Sequence, residues 1–268
     1  MVDMKPVTVL GAAGWIGSAL VSDLRRRGRE VMPVDRAELP AWLARDDQLG
    51  PVIYAIGLTA DFRERPFATA EAHVGLLSQV LQRSGLSQLL LLSSTRVYSR
   101  SRNTNESVAV PCLSSDPSDL YNLSKLMGEA LVLQDPRPGL KVARISNVVG
   151  AGQPSSTFVG SLLEEARGNS QVMIEQPAGM AKDYVALADV VRLLPLIAVE
   201  GRQRLYNLGS GFNTSHAEVA DWLESQGVHV CFVPRATGDF SFPPLSIERL
   251  SAEFDPPGAP FQQTLLQS

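Results

Sequence analysis

Pro6-Val7-Thr8-Val9-Leu10-Gly11-Ala12-Ala13-Gly14-Trp15-Ile16-Gly17 lies at the start of the chain. Pro6 to Leu10 has the length and apolar character of a strand buried on both faces, and Trp15 to Arg27 reads as the helix that follows. Glycines at the turn between them permit unusual backbone angles. They also let a pyrophosphate approach the helix N-terminus closely. The spacing is G-x-x-G-x-x-G, which departs from the G-x-G-x-x-G dinucleotide fingerprint. Glu30 to Val34 predicts the second strand, ending at Asp35, 18 positions after Gly17. A carboxylate there suits the ribose hydroxyls of NAD and repels a 2′-phosphate. Arg36 follows at once and is able to pair with such a phosphate. The pair favours NAD, with NADP as the alternative. Gly11, Gly14, Trp15, Ile16, Gly17, Asp35 and Arg36 are therefore the candidate cofactor-binding residues.

The alternation continues along the chain. Pro51 to Ile56 reads as a strand, Pro66 to Gln82 as a helix, Leu89 to Ser94 as a strand, the segment around Tyr121 as a helix and Lys141 to Ile145 as the next strand. Such βαβ alternation predicts an α/β, Rossmann-type doubly wound parallel sheet. Ala37 to Gly50, between the second and third strands, is short enough to predict a trimmed peripheral helix. Residues 1–150 are expected to form the dinucleotide-binding core. Residues 151–268 are expected to form mainly a small substrate-binding region, with some segments returning to the core. Within it, Gly150 to Pro154 is a turn signal, Thr157 and Phe158 open a helix, and Ser215 caps a helix running to Gln226. Val228 to Val233 predicts a strand, followed by Arg235 as a candidate contact for a substrate phosphate.

Tyr121-Asn122-Leu123-Ser124-Lys125 carries the chemistry. Residues four apart share one helical face, so a phenol and an ammonium can enter the same cleft. A free phenol, with a pKa of about 10, is a poor base at neutral pH. A nearby ammonium favours the phenolate, and an oxidised nicotinamide adds a second positive charge. Tyr121 can then exchange a proton with a substrate oxygen while a hydride moves at the attached carbon. Ser94, at the end of the leucine run, is placed to hydrogen-bond that oxygen. Tyr-x-x-x-Lys alone is a frequent chance pattern, and its weight here comes from the order of the surrounding motifs.

That order resembles the extended short-chain dehydrogenase/reductases, the NAD-dependent epimerase/dehydratase family acting mainly on nucleotide sugars. The matching stretches are Gly11–Gly17, Ser94-Thr95-Arg96-Val97-Tyr98, Tyr121–Lys125, Ala143–Gly150, Lys182-Asp183-Tyr184-Val185 with Asp189, and Tyr206–Gly211. The resemblance implies Ser94, Tyr121 and Lys125 as the catalytic set, with Lys125 also a ribose ligand. It implies Thr95, Asn147 and Lys182 as substrate contacts, Asn147 near a nucleotide-sugar phosphate. Sugar 4,6-dehydratases carry an acidic pair where Thr95 and Arg96 stand, so dehydration is disfavoured. Lys182 replaces a common arginine and Ala186 a common histidine, while His73 replaces an asparagine. A homodimer through the helices after the third and fourth strands, including the Tyr121 helix, fits the resemblance.

Composition agrees. In 268 residues, a 44% hydrophobic content is ample for a core. A net charge of −4 argues against general nucleic-acid binding. Cys112 and Cys231 are no disulfide framework and are expected in apolar packing. His73, His216 and His229 have no metal-ligand spacing, and Ser94 has no G-x-S-x-G elbow. No membrane span or signal peptide is evident, which predicts a cytoplasmic protein. The expected activity is NAD(P)-dependent epimerisation or oxidoreduction of a nucleotide sugar. Its alternatives are a ketoreductase using diffusible NAD(P)H and a non-catalytic cofactor-binding sensor or scaffold.

Overall fold

The computed structural model describes residues 5–58, 61–169, 171–233 and 241–262. A six-stranded parallel sheet is built from β1 (Val7–Leu10), β2 (Val31–Val34), β3 (Val52–Tyr54), β4 (Leu89–Ser94), β5 (Leu140–Ile145) and, after a second region, β9 (Leu205–Leu208). Its order is β2-β1-β3-β4-β5-β9. Successive connections run in opposite directions from β1, which places a topological switch point between β1 and β3, where crevices for ligands form in such sheets. β2 is one of the two edge strands, and there Pro33 costs no interior ladder bond.

Side chains leave this sheet alternately on two sides, so the unbroken Leu89–Leu92 run divides between two cores. Leu90 and Leu92 join Val9, Ile53, Leu20 and Leu24 of α1 (Trp15–Arg26), and Leu193 and Ile197 of α7 (Leu187–Glu200). Leu89 and Leu91 join Leu10, Tyr54, Trp42 of α2 (Leu39–Leu43), Leu77 and Val80 of α4 (Leu76–Leu81), and Val132 of α5 (Asp119–Gln134). Helices thus cover both faces, as expected of a doubly wound sheet. The five-residue α2 is the trimmed helix that the short Ala37–Gly50 segment predicts.

The predicted Pro66–Gln82 helix differs in its middle. α3 (Pro66–Ala70) passes through a π-helical turn, Glu71–Gly75, before α4 begins. The turn packs tightly against α5: a Cβ on Gly128 would stand 2.8 Å from the His73 carbonyl oxygen. The widened turn therefore sits where the helix pair approaches most closely, and it carries His73 inward.

Beyond β5, the chain forms β6 (Asn147–Val149), α6 (Phe158–Gly168), β7 (Gln171–Ile174) and β8 (Ala181–Ala186), and after β9, β10 (Asn213–Ser215), α8 (His216–Ser225) and β11 (His229–Phe232). β10, β8 and β6 make a small mixed sheet, and β11 pairs with β7. Val159, Leu162, Ile174, Tyr184 and Leu223 fill the core beneath α6 and α8. Thr157 caps α6, and Ser215 with Glu218 forms a capping box on α8. The cysteines depart from expectation. Both are only half-buried, and Cys231 stands 3.7 Å from the imidazole of the exposed His229. Arg235 lies outside the described residues.

Candidate active site

The glycine turn after β1 is held open by two close approaches. Gly11 has φ +85°, and a Cβ there would meet the backbone of Ala55 at 2.9 Å. A Cβ on Gly17 would lie 2.2 Å from the Gly11 carbonyl oxygen, so α1 packs directly on the turn. Gly14 caps α1 without a side-chain hydrogen bond, and the first turn holds no acidic residue. That leaves a helix N-terminus suited to a pyrophosphate. Ile16 packs on the sheet core, while the Trp15 indole N–H donates to the Ala151 carbonyl at 3.0 Å and ties α1 to the Gly150–Gly152 loop. Asp35 follows β2 immediately; its Oδ1 accepts from the N–H groups of Ala37 and Glu38 at 2.8 and 3.1 Å. Arg36 beside it is exposed.

Helix α5 delivers Tyr121 and Lys125 to the ends of β3 and β4. Lys125 Nζ donates to the Leu92 carbonyl at 3.0 Å and lies 5.7 Å from the Tyr121 ring centroid. Burial lowers the Lys125 ammonium to about 8, opposed by the Glu129 carboxylate one turn on. Ser94 ends β4, accepts the Arg96 N–H at 3.2 Å, and its hydroxyl favours the ionised form of the Tyr121 phenol. Burial raises that phenol to about 12, against the Ser94 hydroxyl and the Arg96 guanidinium, which both lower it.

His73 completes the inner wall. Its Nε2 accepts the Leu58 N–H at 3.3 Å, so Nδ1 carries the proton and donates to Ser124 Oγ at 2.8 Å. Ser124 in turn donates to the Tyr121 carbonyl at 2.8 Å. The imidazole also meets the Tyr121 ring edge-on, with centroids 5.4 Å apart. One buried histidine therefore connects the loop after β3 to the helix bearing the tyrosine.

Beneath this layer lies a buried ion pair. Arg144 Nη2 of β5 meets Glu129 Oε2 of α5 at 2.6 Å, and both side chains are almost fully enclosed. Ser93 donates to Glu129 at 2.5 Å; Arg144 donates to the Tyr98 hydroxyl at 2.7 Å, and Tyr98 donates to Asn207 at 3.0 Å.

The face beyond Ser94 is cationic. Thr95 and Arg96 begin the 3-10 turn Thr95–Arg100 after Ser94 and are half-buried. Lys182 of β8 is half-buried with its ammonium 5.7 Å from the Phe158 ring, and burial and the Arg96 charge lower its pKa. The buried His216 stacks on that same ring, 4.4 Å between centroids. Asn147 is exposed and donates to the Asp183 carbonyl at 2.8 Å. Asp183 accepts from Ser210 and Gly211 and so fixes the Gly209-Ser210-Gly211 turn after β9. Phe62 and Arg63 also reach this side: the Arg63 and Arg96 guanidinium carbons lie 4.5 and 5.3 Å from the Phe62 ring centroid. They follow β3 in a stretch without motif or periodicity, and only the folded loop reveals them.

A model of the NAD dependent epimerase/dehydratase family matches residues 7–209. The chain belongs to this family. It is thus an NAD-dependent enzyme of the extended short-chain dehydrogenase/reductase type. Among curated relatives, dTDP-6-deoxy-L-talose 4-dehydrogenase (NAD(P)(+)) of Kitasatospora kifunensis is 26% identical over 256 residues, covering 83% of this chain and 79% of that protein. ADP-L-glycero-D-manno-heptose-6-epimerase of Cupriavidus pinatubonensis is 26% identical over 290 residues, covering 92% and 83%. MoeE5 in complex with UDP-glucuronic acid and NAD superposes with a TM-score of 0.75 at 26% identity, covering 92% of each chain. The epimerase Mth375 of Methanothermobacter thermautotrophicus gives 0.78 at 20% identity, covering 98% and 91%, a likeness of fold.

In this family member the His73 imidazole is held neutral. Burial and the neighbouring Lys125 ammonium push it down to about 3 from an ordinary 6.5. As pH falls below about 6.5, the unfolded chain binds a proton that the folded chain refuses, so stability declines with acidification. Between about pH 7 and about pH 5 this amounts to about 2 kcal/mol. His216, lowered to about 4 chiefly by burial, adds to the same slope. Exchanging His73→Asn is expected to remove only the His73 share, measured as urea midpoints across that range. An unchanged slope contradicts the assignment.

Proposed function

We propose that the enzyme epimerises a nucleotide-linked sugar by taking a hydride from one sugar carbon and returning it to the opposite face. The observation that carries this reading is the convergence of Ser94 and the buried Lys125 on Tyr121. The glycine turn, with its uncapped helix N-terminus, fits a dinucleotide. Backbone groups of Gly11, Gly14, Trp15, Ile16 and Gly17 would hold the pyrophosphate, Asp35 the adenine-side ribose and Lys125 the nicotinamide-side ribose. When bound, NAD supplies a hydride acceptor and a positive charge next to the phenol.

Tyr121 takes the proton of the sugar hydroxyl as the C–H hydrogen departs as hydride, and Ser94 donates to the same oxygen as it becomes a carbonyl. With its phenol near 12 even with Arg96 and Lys125 at its ring, Tyr121 needs the further positive charge of the oxidised nicotinamide to act as a base. After the keto sugar turns, Tyr121 returns its proton to the oxygen as hydride re-adds to carbon. Thr95, Asn147 and Lys182 line the sugar-diphosphate side, and Arg235, outside the described residues, is proposed as a further phosphate contact. The heptose epimerase relative supports this reading.

A second reading, a 4-ketoreductase using diffusible NAD(P)H, is supported by the talose dehydrogenase relative and by Arg36, exposed beside Asp35 and suited to a 2′-phosphate. Both readings need the phenol. Tyr121→Phe is expected to lower turnover by about two to four orders of magnitude while the protein still binds NAD. Undiminished turnover contradicts the role.

We infer further that the enzyme is a homodimer through the α3–α4 and α5 surfaces, where Phe67, Leu123 and Met127 are 89%, 37% and 54% exposed. Sedimentation velocity is expected to give a dimer, with Met127→Glu shifting it toward monomer. A wild-type monomer at micromolar concentration contradicts the inference.

A further inference from the structure

Arg96 occupies an unusual setting for a guanidinium. It follows Ser94 by two residues, and its guanidinium carbon lies between two aromatic rings, 5.3 Å from the Phe62 centroid and 5.9 Å from that of Tyr121. Its Nε is buried and has no hydrogen-bond partner among the described residues. Its Nη2 reaches the Ser118 carbonyl only at 3.4 Å. Asp116 and Asp119 are the carboxylates within its electrostatic reach, and Arg100 engages both: its Nη2 pairs with Asp116 and its Nε with Asp119 at 2.6 Å. Among the described residues, the other charges that face it are positive, Arg63 from the loop after β3 and Lys182 from β8. Arg63 itself is fixed by a 3.0 Å hydrogen bond to Ser118 Oγ and by the Phe62 ring.

Burying part of a cation without a counter-ion is costly, and gathering two more cations around it raises that cost. The arrangement makes physical sense for a group that meets its anion when substrate binds. Two sources of negative charge are conceivable in a nucleotide sugar, the diphosphate and an acidic group on the sugar. The diphosphate is attached at the anomeric carbon, away from a reacting ring carbon, whereas Arg96 adjoins Ser94 and Tyr121 themselves. A planar guanidinium there matches a carboxylate, which it can grip with two parallel hydrogen bonds.

We propose that Arg96 is a specificity residue that binds a carboxylate on the sugar beside the carbon on which Tyr121 acts, so that the substrate is a nucleotide-linked sugar acid. This rests on the nucleotide-sugar reading given above. Thr95 and Arg96 then have a positive meaning: where a dehydratase would have an acid pair, this chain reads the charge of the sugar.

Calorimetric titration of the NAD-saturated enzyme with UDP, UDP-glucose and UDP-glucuronic acid tests it. The expected result is at least about tenfold tighter binding of the glucuronic acid form than of the glucose form, as one charge-assisted contact would give. Arg96→Gln should reduce that ratio to below about threefold, and Arg96→Lys should retain part of it. Thermal unfolding checks that both variants fold. Equal affinity of the wild type for the two sugars overturns the proposal, as does a ratio that Arg96→Gln leaves intact. A loss in Arg96→Gln shared equally by UDP alone assigns the guanidinium to the diphosphate and also overturns it. If no nucleotide form binds, the nucleotide-sugar reading fails separately. Free glucuronate against glucose then decides: a preference for glucuronate lost in Arg96→Gln supports the carboxylate site, and no preference overturns it.

Discussion

The Arg144–Glu129 ion pair is the constraint around which the site is assembled. It joins β5 to α5 at 2.6 Å inside the protein, where removing either partner would leave an uncompensated charge costing about 3–5 kcal/mol. That is a large share of the roughly 5–15 kcal/mol that stabilises a typical domain. The pair is satisfied from every side. Ser93 of β4 donates to the carboxylate, and Tyr98 accepts from the guanidinium while donating to Asn207 of β9. Ser94 follows Ser93 directly, and Lys125 stands one helical turn before Glu129. The network thus fixes the strand end and the helix face that the proposed chemistry requires at one separation.

Above it, charge is distributed with a clear division. On the inner wall His73 stays neutral beside the Lys125 ammonium, and its two hydrogen bonds orient Leu58 and, through Ser124, the Tyr121 segment. The outer wall is cationic through Arg96, Arg63 and Lys182. Tyr121 lies between them, its phenol destabilised as an anion by burial and relieved by Ser94 and Arg96. A tyrosine so placed stays protonated until positive charge is added beside it. Under the proposed mechanism, cofactor binding would supply that charge and so couple to reactivity through electrostatics.

Local patterns carried the fold. Gly11, Gly14 and Gly17 were legible because a tight strand-to-helix turn demands them, and Tyr121 with Lys125 because helical geometry puts residues four apart on one face. Ser215 and Thr157 were legible as caps for the same local reason. The π-helical turn at Glu71–Gly75 was not, since it depends on Gly128, more than fifty positions away, meeting the His73 carbonyl. Arg96 was readable only as a missing acid. Its meaning arises from Phe62 and Arg63, which a loop brings across from another crossover. Glu129 and Arg144 each look like ordinary surface charges in sequence, and only their pairing across a strand and a helix makes them buried.

The central claim is that this site retains NAD and returns the hydride it takes. Denaturing the freshly purified protein and measuring the identity, oxidation state and amount of the released nucleotide tests it most directly. The account predicts close to one NAD per chain. A protein that emerges empty and consumes added NADPH or NADH in turnover would contradict internal hydride return.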